Sequence, residues 1–158
     1  MSQWEMFKEV RLRALEEAPY AFSSTLEGAL QKSDDEWQTQ TEESATGLDK
    51  ALFLAFWDDV VCGLTGCLIV GEQGDEADLF SVWVAPDFRR LQVGNAMFEE
   101  AKQWAVENGA SVLHAWVTEN NLGAIRFYKG FGMEETGRRE PVRAGSDEEQ
   151  ILLVLPLS

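Results

Sequence analysis

The chain has few of the residues that most often announce a chemistry. It carries a single histidine, His114, inside an apolar stretch that reads as a strand, where it suits a core or sheet-face position better than a catalytic one. It has two cysteines, Cys62 and Cys67, with no zinc-site pattern around them, so no metal is expected. On a regular strand their odd separation puts them on opposite faces, which is poor geometry for a disulfide; they read as small core residues of a reducing cytoplasm. Cations are scarce, with 13 Lys and Arg against 28 Asp and Glu, a formal charge of −15. No basic tract is longer than Arg89-Arg90 or Arg138-Arg139, so the positive footprint that nucleic acid requires is missing. The acid surplus either serves solubility alone or favours a cationic substrate. No apolar run reaches the roughly 20 residues that span a bilayer, and residues 1–5 lack the basic and apolar regions of a signal peptide. Neither an internal repeat nor a linker divides the chain, so residues 1–158 read as one cytoplasmic domain without nucleic-acid or membrane partners.

What is present is a 45% hydrophobic composition, enough for a sizeable core, arranged with two periodicities. Ser2 and Glu5 have capping-box spacing, and Trp4, Phe7, Val10, Ala14 and Leu15 form a helical stripe to about Glu17. Pro19 to Ser24 breaks it. Ser33 opens a second helix, with Asp34, Asp35 and Glu36 in its first turn, where the helix dipole favours acids. From Ala51 the pattern is that of strands: Ala51–Trp57, Val60–Val70 and Asp78–Val84, with Gly63 and Gly66 as bulge or close-approach sites. An amphipathic helix spans Leu91–Asn108 and stops at Gly109. A strand follows at Val112–Val117, a short helix at Leu122–Lys129, and two strands at Met133–Val142 and Glu149–Leu155. The order ααβββαβαββ predicts an α/β fold with one mixed central sheet, antiparallel at first, with a strand–helix–strand crossover in the middle.

The densest information lies from Val82 to Ala96. A strand ends in Ala85-Pro86, two arginines follow, and a helix starts without Ser, Thr, Asp or Asn just before Leu91. Its first backbone N–H groups are therefore left for a ligand, and the dipole favours an anion such as a pyrophosphate. The spacing V-x-P-x-x-Q/R-x-x-G-x-G/A is offered by Val84, Pro86, Arg89, Gln92 and Gly94. A second pattern, N-x-x-A-x-x-x-Y-x-x-x-G-F/M, is met by Asn121, Ala124, Tyr128, Gly132 and Met133. Together, in this order and separated by a helix and a strand, these motifs resemble those of the GNAT superfamily of acetyl-CoA-dependent N-acetyltransferases. The resemblance runs from about Trp4 to Leu155 and is strongest from Phe80 to Met133. Three features depart from it: Gln92 replaces the first glycine of the phosphate loop, the family's opening strand is missing, and Trp116 stands where N-terminal acetyltransferases of bacterial ribosomal proteins carry a catalytic glutamate.

The resemblance implies a GNAT-like fold and the transfer of an acetyl group from acetyl-CoA, as cosubstrate, to a primary amine of a small molecule or peptide. It assigns Arg89, Arg90, Leu91, Gln92, Val93, Gly94, Asn95 and Ala96 to the pyrophosphate cradle. Val82, Trp83 and Val84 fall beside the pantetheine arm, where a backbone N–H also polarises the thioester carbonyl. Trp83, of opposite parity to its two neighbours, either takes a role in the acceptor site or packs under the crossover helix. Asn121 bonds the pantetheine, caps the short helix, or does both, and Phe127 borders the same site. Tyr128 becomes the general acid for the departing thiolate, although its neighbours Phe127 and Phe131 alone would make it a core residue. Asp78 matches the place of a catalytic glutamate in histone-acetylating members; a base there, ordered water, or a plain strand-end charge all remain open. The acceptor groove falls between the first helices and the last strands, with Pro19, Tyr20, Phe22, Trp37 and the Glu140–Asp147 loop as wall candidates. A homodimer is compatible with the exposed final strands. An acyl-CoA-binding regulatory module without catalysis is the competing reading, and a groove plugged by Trp116 or the Tyr20 loop would favour it.

Overall fold

The computed structural model describes residues 2–18, 25–46 and 49–157. Three helices come first: α1 (Gln3–Glu17), α2 (Leu26–Leu30) and α3 (Asp34–Thr46). The capping box is formed, with the Ser2 side chain accepting from the Glu5 N–H and the Glu5 carboxylate accepting from the Ser2 N–H at 2.8 Å. Ser33 Oγ caps α3 by accepting from the Glu36 N–H. Helix α2, absent from the sequence reading, is a five-residue helix capped by Thr25, too short to leave a hydrophobic period. The predicted break at Pro19–Ser24 lies outside the described residues.

Next come β1 (Lys50–Trp57), β2 (Val60–Val70), β3 (Glu76–Val84), α4 (Val93–Glu107), β4 (Val112–Thr118), α5 (Leu122–Gly130), β5 (Glu134–Pro141) and β6 (Glu149–Pro156). The strands form one six-stranded sheet in the order β1-β2-β3-β4-β6-β5. Only β3 and β4 run parallel, as the helix α4 between them requires. Among the described residues β1 is the first strand, after three helices. No described helix is long and apolar enough to cross a membrane.

Two apolar layers cover the sheet. Phe98, Ala101 and Ala105 of α4, with Tyr128 of α5, pack on Leu79, Leu113, Ala115 and Leu153. On the other face Phe7, Val10, Ala14 and Leu15 of α1 and Trp37 of α3 pack on Leu64 and Trp83. Trp37 is only 1% exposed and meets Phe7 edge-on at 5.6 Å, so it is a core residue rather than a groove wall.

Two bulges set which face each side chain takes. At Cys62 an extra residue enters β2, between the pairs Ala55–Gly63 and Phe56–Val61. The alternation is thereby broken, and both cysteines face α4: Cys62 against Val93 and Met97, Cys67 in the cluster of Phe98 and Ala101. The expectation of opposite faces assumed a regular strand and is corrected by this bulge. Both thiols are free and buried, and burial pushes Cys67 up to about 12, so it stays protonated. The second bulge lies in β3, where Ser81 and Val82 together oppose Thr65 and Ser81 has a left-handed φ of 56°. Across the strand pair Gly66 gives way to the Phe80 ring, because a Cβ there would sit 2.4 Å from it.

Candidate active site

The β3 bulge opens the sheet. Strands β3 and β4 are paired only from Glu76–Val112 to Leu79–Ala115, after which β3 leaves its neighbour. Residues 82–84 therefore present backbone groups that β4 does not use. A cleft of ≈ 550 Å³ fills the gap on the α4/α5 side, lined by Val82, Trp83 and Val84, by the loop and helix start at Arg89, Arg90, Gln92, Gly94 and Asn95, and by Asn121, Phe127 and Tyr128. Ala18, Phe88, Gly123 and Ala124 complete it. Of these four, Phe88 and Ala124 sat within or beside the motifs, whereas Ala18 comes from the end of α1 and left no signal in the sequence.

The loop before α4 owes its shape to two left-handed residues, Arg90 at φ 67° and Gln92 at φ 69°. Glutamine thus takes the conformation for which glycine is the easier choice, at a strain of order 1 kcal/mol. Its side chain accepts from Asn95 Nδ2 and makes no cap to the helix backbone. The amides of Val93, Gly94 and Asn95 consequently have no intrahelical acceptor, the arrangement that suits an anion. The Ala96 N–H does not belong with them, because it donates to the Gln92 carbonyl at 3.1 Å. The side chains of Leu91, Val93 and Ala96 are not among the lining groups; Val93 is turned inward against Cys62 and Met97.

The two arginines part company. Arg89 folds back: its Nη2 donates to Glu17 Oε2 at 2.7 Å and its Nε to the Val84 carbonyl at 2.8 Å. The same Glu17 oxygen accepts from Trp83 Nε1 at 2.8 Å. Burial raises the Glu17 carboxyl, and the bonds from Trp83 and Arg89 outweigh it and hold the group below its ordinary value. Arg89 is therefore a brace between α1, β3 and the loop, and Arg90 is the exposed cation with no ion-pair partner among the described residues. Trp83 is corrected as well. The bulge reverses its parity, so its ring packs on the α1 face and not under α4, with only part of it bordering the cleft.

Tyr128 stands at the base of the cleft, 6% exposed, with Phe127 at 5.4 Å and Phe98 at 6.5 Å between ring centres. Burial pushes its phenol well above the ordinary value, so it holds its proton throughout the neutral range. Asn121 caps α5 by accepting from the Ala124 N–H at 3.2 Å while also lining the cleft.

Asp78 is not in this cleft. With His114 opposite it in register, it points to the α1/α3 face, where its Oδ1 lies 3.4 Å from His114 Nδ1. It lines a second cavity of ≈ 430 Å³ with Arg11, Gln40, Phe80, Ser81, Trp116 and Thr118. Trp116 is a wall of that cavity. The two spaces share β3 and exchange at the bulge, residues 78–81 lining the second cavity and 82–84 the cleft. Pro19, Tyr20 and Phe22 lie outside the described residues.

The sheet is thus parted at a bulged strand, with an uncapped helix start beside the gap. The profile of the acetyltransferase (GNAT) family matches residues 10–133, and the chain belongs to that family. Over 64 residues it is 38% identical to an uncharacterised N-acetyltransferase of Methanocaldococcus jannaschii, covering 40% of this chain and 28% of that protein. It is 33% identical over 86 residues to the ribosomal protein bS18-alanine N-acetyltransferase of Escherichia coli, covering 53% of this chain and 58% of the relative. The chain thus spans less than two thirds of these relatives. A protein of Salmonella typhimurium solved with acetyl-CoA shares the fold at a TM-score of 0.76 and 18% identity, over 96% of this chain and 87% of that one.

Proposed function

We propose that this protein transfers the acetyl group of acetyl-CoA to a primary amine of a small molecule or peptide. The cleft carries the reading. Its helix-start amides at Val93, Gly94 and Asn95, with Arg90 beside them, match a pyrophosphate. Its free strand edge at Val82–Val84 matches an amide-containing pantetheine arm, and the Val84 carbonyl retains a second lone pair besides the one Arg89 uses. The acetyl thioester supplies the activated acyl group. The amine nitrogen forms a bond to the acyl carbon, the carbon–sulfur bond breaks, and the N–H of Val82 faces the carbonyl oxygen as charge builds there. Tyr128, neutral and at the base of the cleft, donates the proton that the sulfur takes as it leaves. Asp78, or water ordered by it, takes the proton lost by the nitrogen.

Thiol release by the purified protein with acetyl-CoA and a panel of amines tests the reading, together with calorimetric titration of acetyl-CoA. Binding with release is expected. Binding without release across polyamines, amino acids, aminoglycosides and peptides would make the protein a regulatory acyl-CoA module, and no binding would overturn the proposal.

Asp78 has a pH signature. Burial raises its carboxyl above the ordinary value, with His114 pulling the other way. A base must be unprotonated, so activity falls as the pH drops through this raised value. The acid limb of kcat/KM is therefore expected at a higher pH than an exposed aspartate would produce. Asp78→Asn should remove that limb and lower kcat/KM by about 100-fold. A limb that survives the substitution assigns the base elsewhere.

A further inference from the structure

The second cavity brings one cation and one carboxylate together. The chain as a whole has a charge of −15, whereas the charged residues lining this cavity, among the described residues, are Arg11 and Asp78. The cavity shares Arg11 and Gln40 with an adjoining depression of ≈ 410 Å³ whose other charged lining residues, among the described residues, are Lys32 and Arg143. Lys32 donates to Gln40 Oε1 at 2.9 Å, which ties it to the same wall. Its amine is held below the ordinary value by burial and then by the Arg11 and Lys50 charges, against Glu36. Asp78, the carboxylate among the described lining residues, faces His114.

Two further observations concern what would sit there. Arg11 Nη1 donates to Ser81 Oγ at 2.7 Å, at the bulged residue next to Val82. An anion on Arg11 therefore lies beside the point where the acyl carbon is presented. Thr118, 8% exposed, lines the same cavity, and its hydroxyl has no hydrogen-bond partner among the described residues. A buried hydroxyl in that state fits a polar ligand rather than an apolar one.

We propose that the acceptor is an amine that carries its own carboxylate, of the free amino acid class, with the carboxylate on Arg11 and the amine toward Val82 and Asp78. The inference rests on the acetyl-transfer reading above. The transfer is balanced without the carboxylate taking part: nitrogen gains the acyl carbon, sulfur leaves with the Tyr128 proton, and the nitrogen's proton goes to Asp78 or its water. Polyamines and aminoglycosides carry no carboxylate to match Arg11, and so use only the Asp78 end of the cavity. A peptide N-terminus offers Arg11 a neutral amide where an amino acid offers a charge-assisted bond.

The test uses the full chain, acetyl-CoA and matched trios: each standard L-amino acid, its carboxamide and its decarboxylated amine, with short peptides and spermidine alongside. At least one amino acid is expected to show a kcat/KM about 10-fold or more above its amide and its amine. Arg11→Gln should raise KM for that amino acid by a similar factor, raise it several-fold less for the amide and leave acetyl-CoA affinity intact. If Arg11→Gln does not fold, Lys32→Gln and Thr118→Val read the same preference. Equal or better use of amides, amines, peptides or spermidine overturns the proposal while leaving acetyl transfer standing. Equal losses for acid and amide in the Arg11 variant also overturn it. Failure to bind acetyl-CoA overturns both readings together.

Discussion

A Gly94→Val variant is expected to bind acetyl-CoA about 100-fold more weakly, or ~2.7 kcal/mol, while remaining folded. Gly94 is the second residue of α4 and lies between the strand edge and α5. A Cβ placed on it would come within 3.0 Å of Phe127 Cε1 and 3.8 Å of Val84 Cγ2. Phe127 can yield by the few tenths of an ångström that one carbon needs. The two methyl groups of valine would project into the cleft over the amides of Val93, Gly94 and Asn95, where close approach of an anion depends on a bare backbone. Gly94→Ala should therefore show an intermediate loss. Titration calorimetry with acetyl-CoA, beside a thermal melt of each variant, separates ligand exclusion from unfolding. Unchanged affinity in a folded valine variant would move the pyrophosphate away from this helix start.

Tyr128→Phe is expected to lower kcat by about 100-fold and to change acetyl-CoA affinity little. The loss is at the modest end for an acid because a thiolate leaves readily without one. Removal of the hydroxyl keeps the ring that packs against Phe127 and Phe98, so the wall of the cleft survives. The raised phenol pKa adds a pH criterion: no alkaline limb from Tyr128 should fall in the neutral range of the wild-type profile. A large loss of affinity in the phenylalanine variant would make the tyrosine structural. The split between kcat and affinity is what distinguishes the roles, since a packing defect would disturb both.

Much of the architecture was legible because it rests on short-range periodicity. The helices at Gln3–Glu17, Asp34–Thr46 and Val93–Glu107 follow from apolar stripes, caps and stop signals. The strands follow from apolar runs bounded by Asp58-Asp59, the Gly71–Asp75 loop and Gly109. The cleft was legible for a related reason. A helix start without a capping side chain leaves backbone donors whatever the rest of the fold does, and the two motifs at Val84–Gly94 and Asn121–Met133 carry their spacing in the chain.

Charge roles and faces were not legible. Arg89 and Arg90 are neighbours in sequence, yet Glu17, brought in by α1, commits Arg89 to bracing Trp83 and the Val84 carbonyl. The sequence-wide acid surplus suggested nothing of the cations that converge from α1, the α2–α3 connection and the β5–β6 loop at Arg11, Lys32 and Arg143.

Chain order and period alone were enough for an α/β domain with an anion-ready helix start, because hydrogen-bonding needs and side-chain periodicity act between near neighbours. The bulges at Cys62 and Ser81 required the folded sheet, since an extra residue exists only relative to the partner strand it is paired with. One such residue turned Trp83 toward α1, and it marks the stretch where β3 leaves β4. Residues 78–81 and 82–84 of a single strand thereby line two separate cavities.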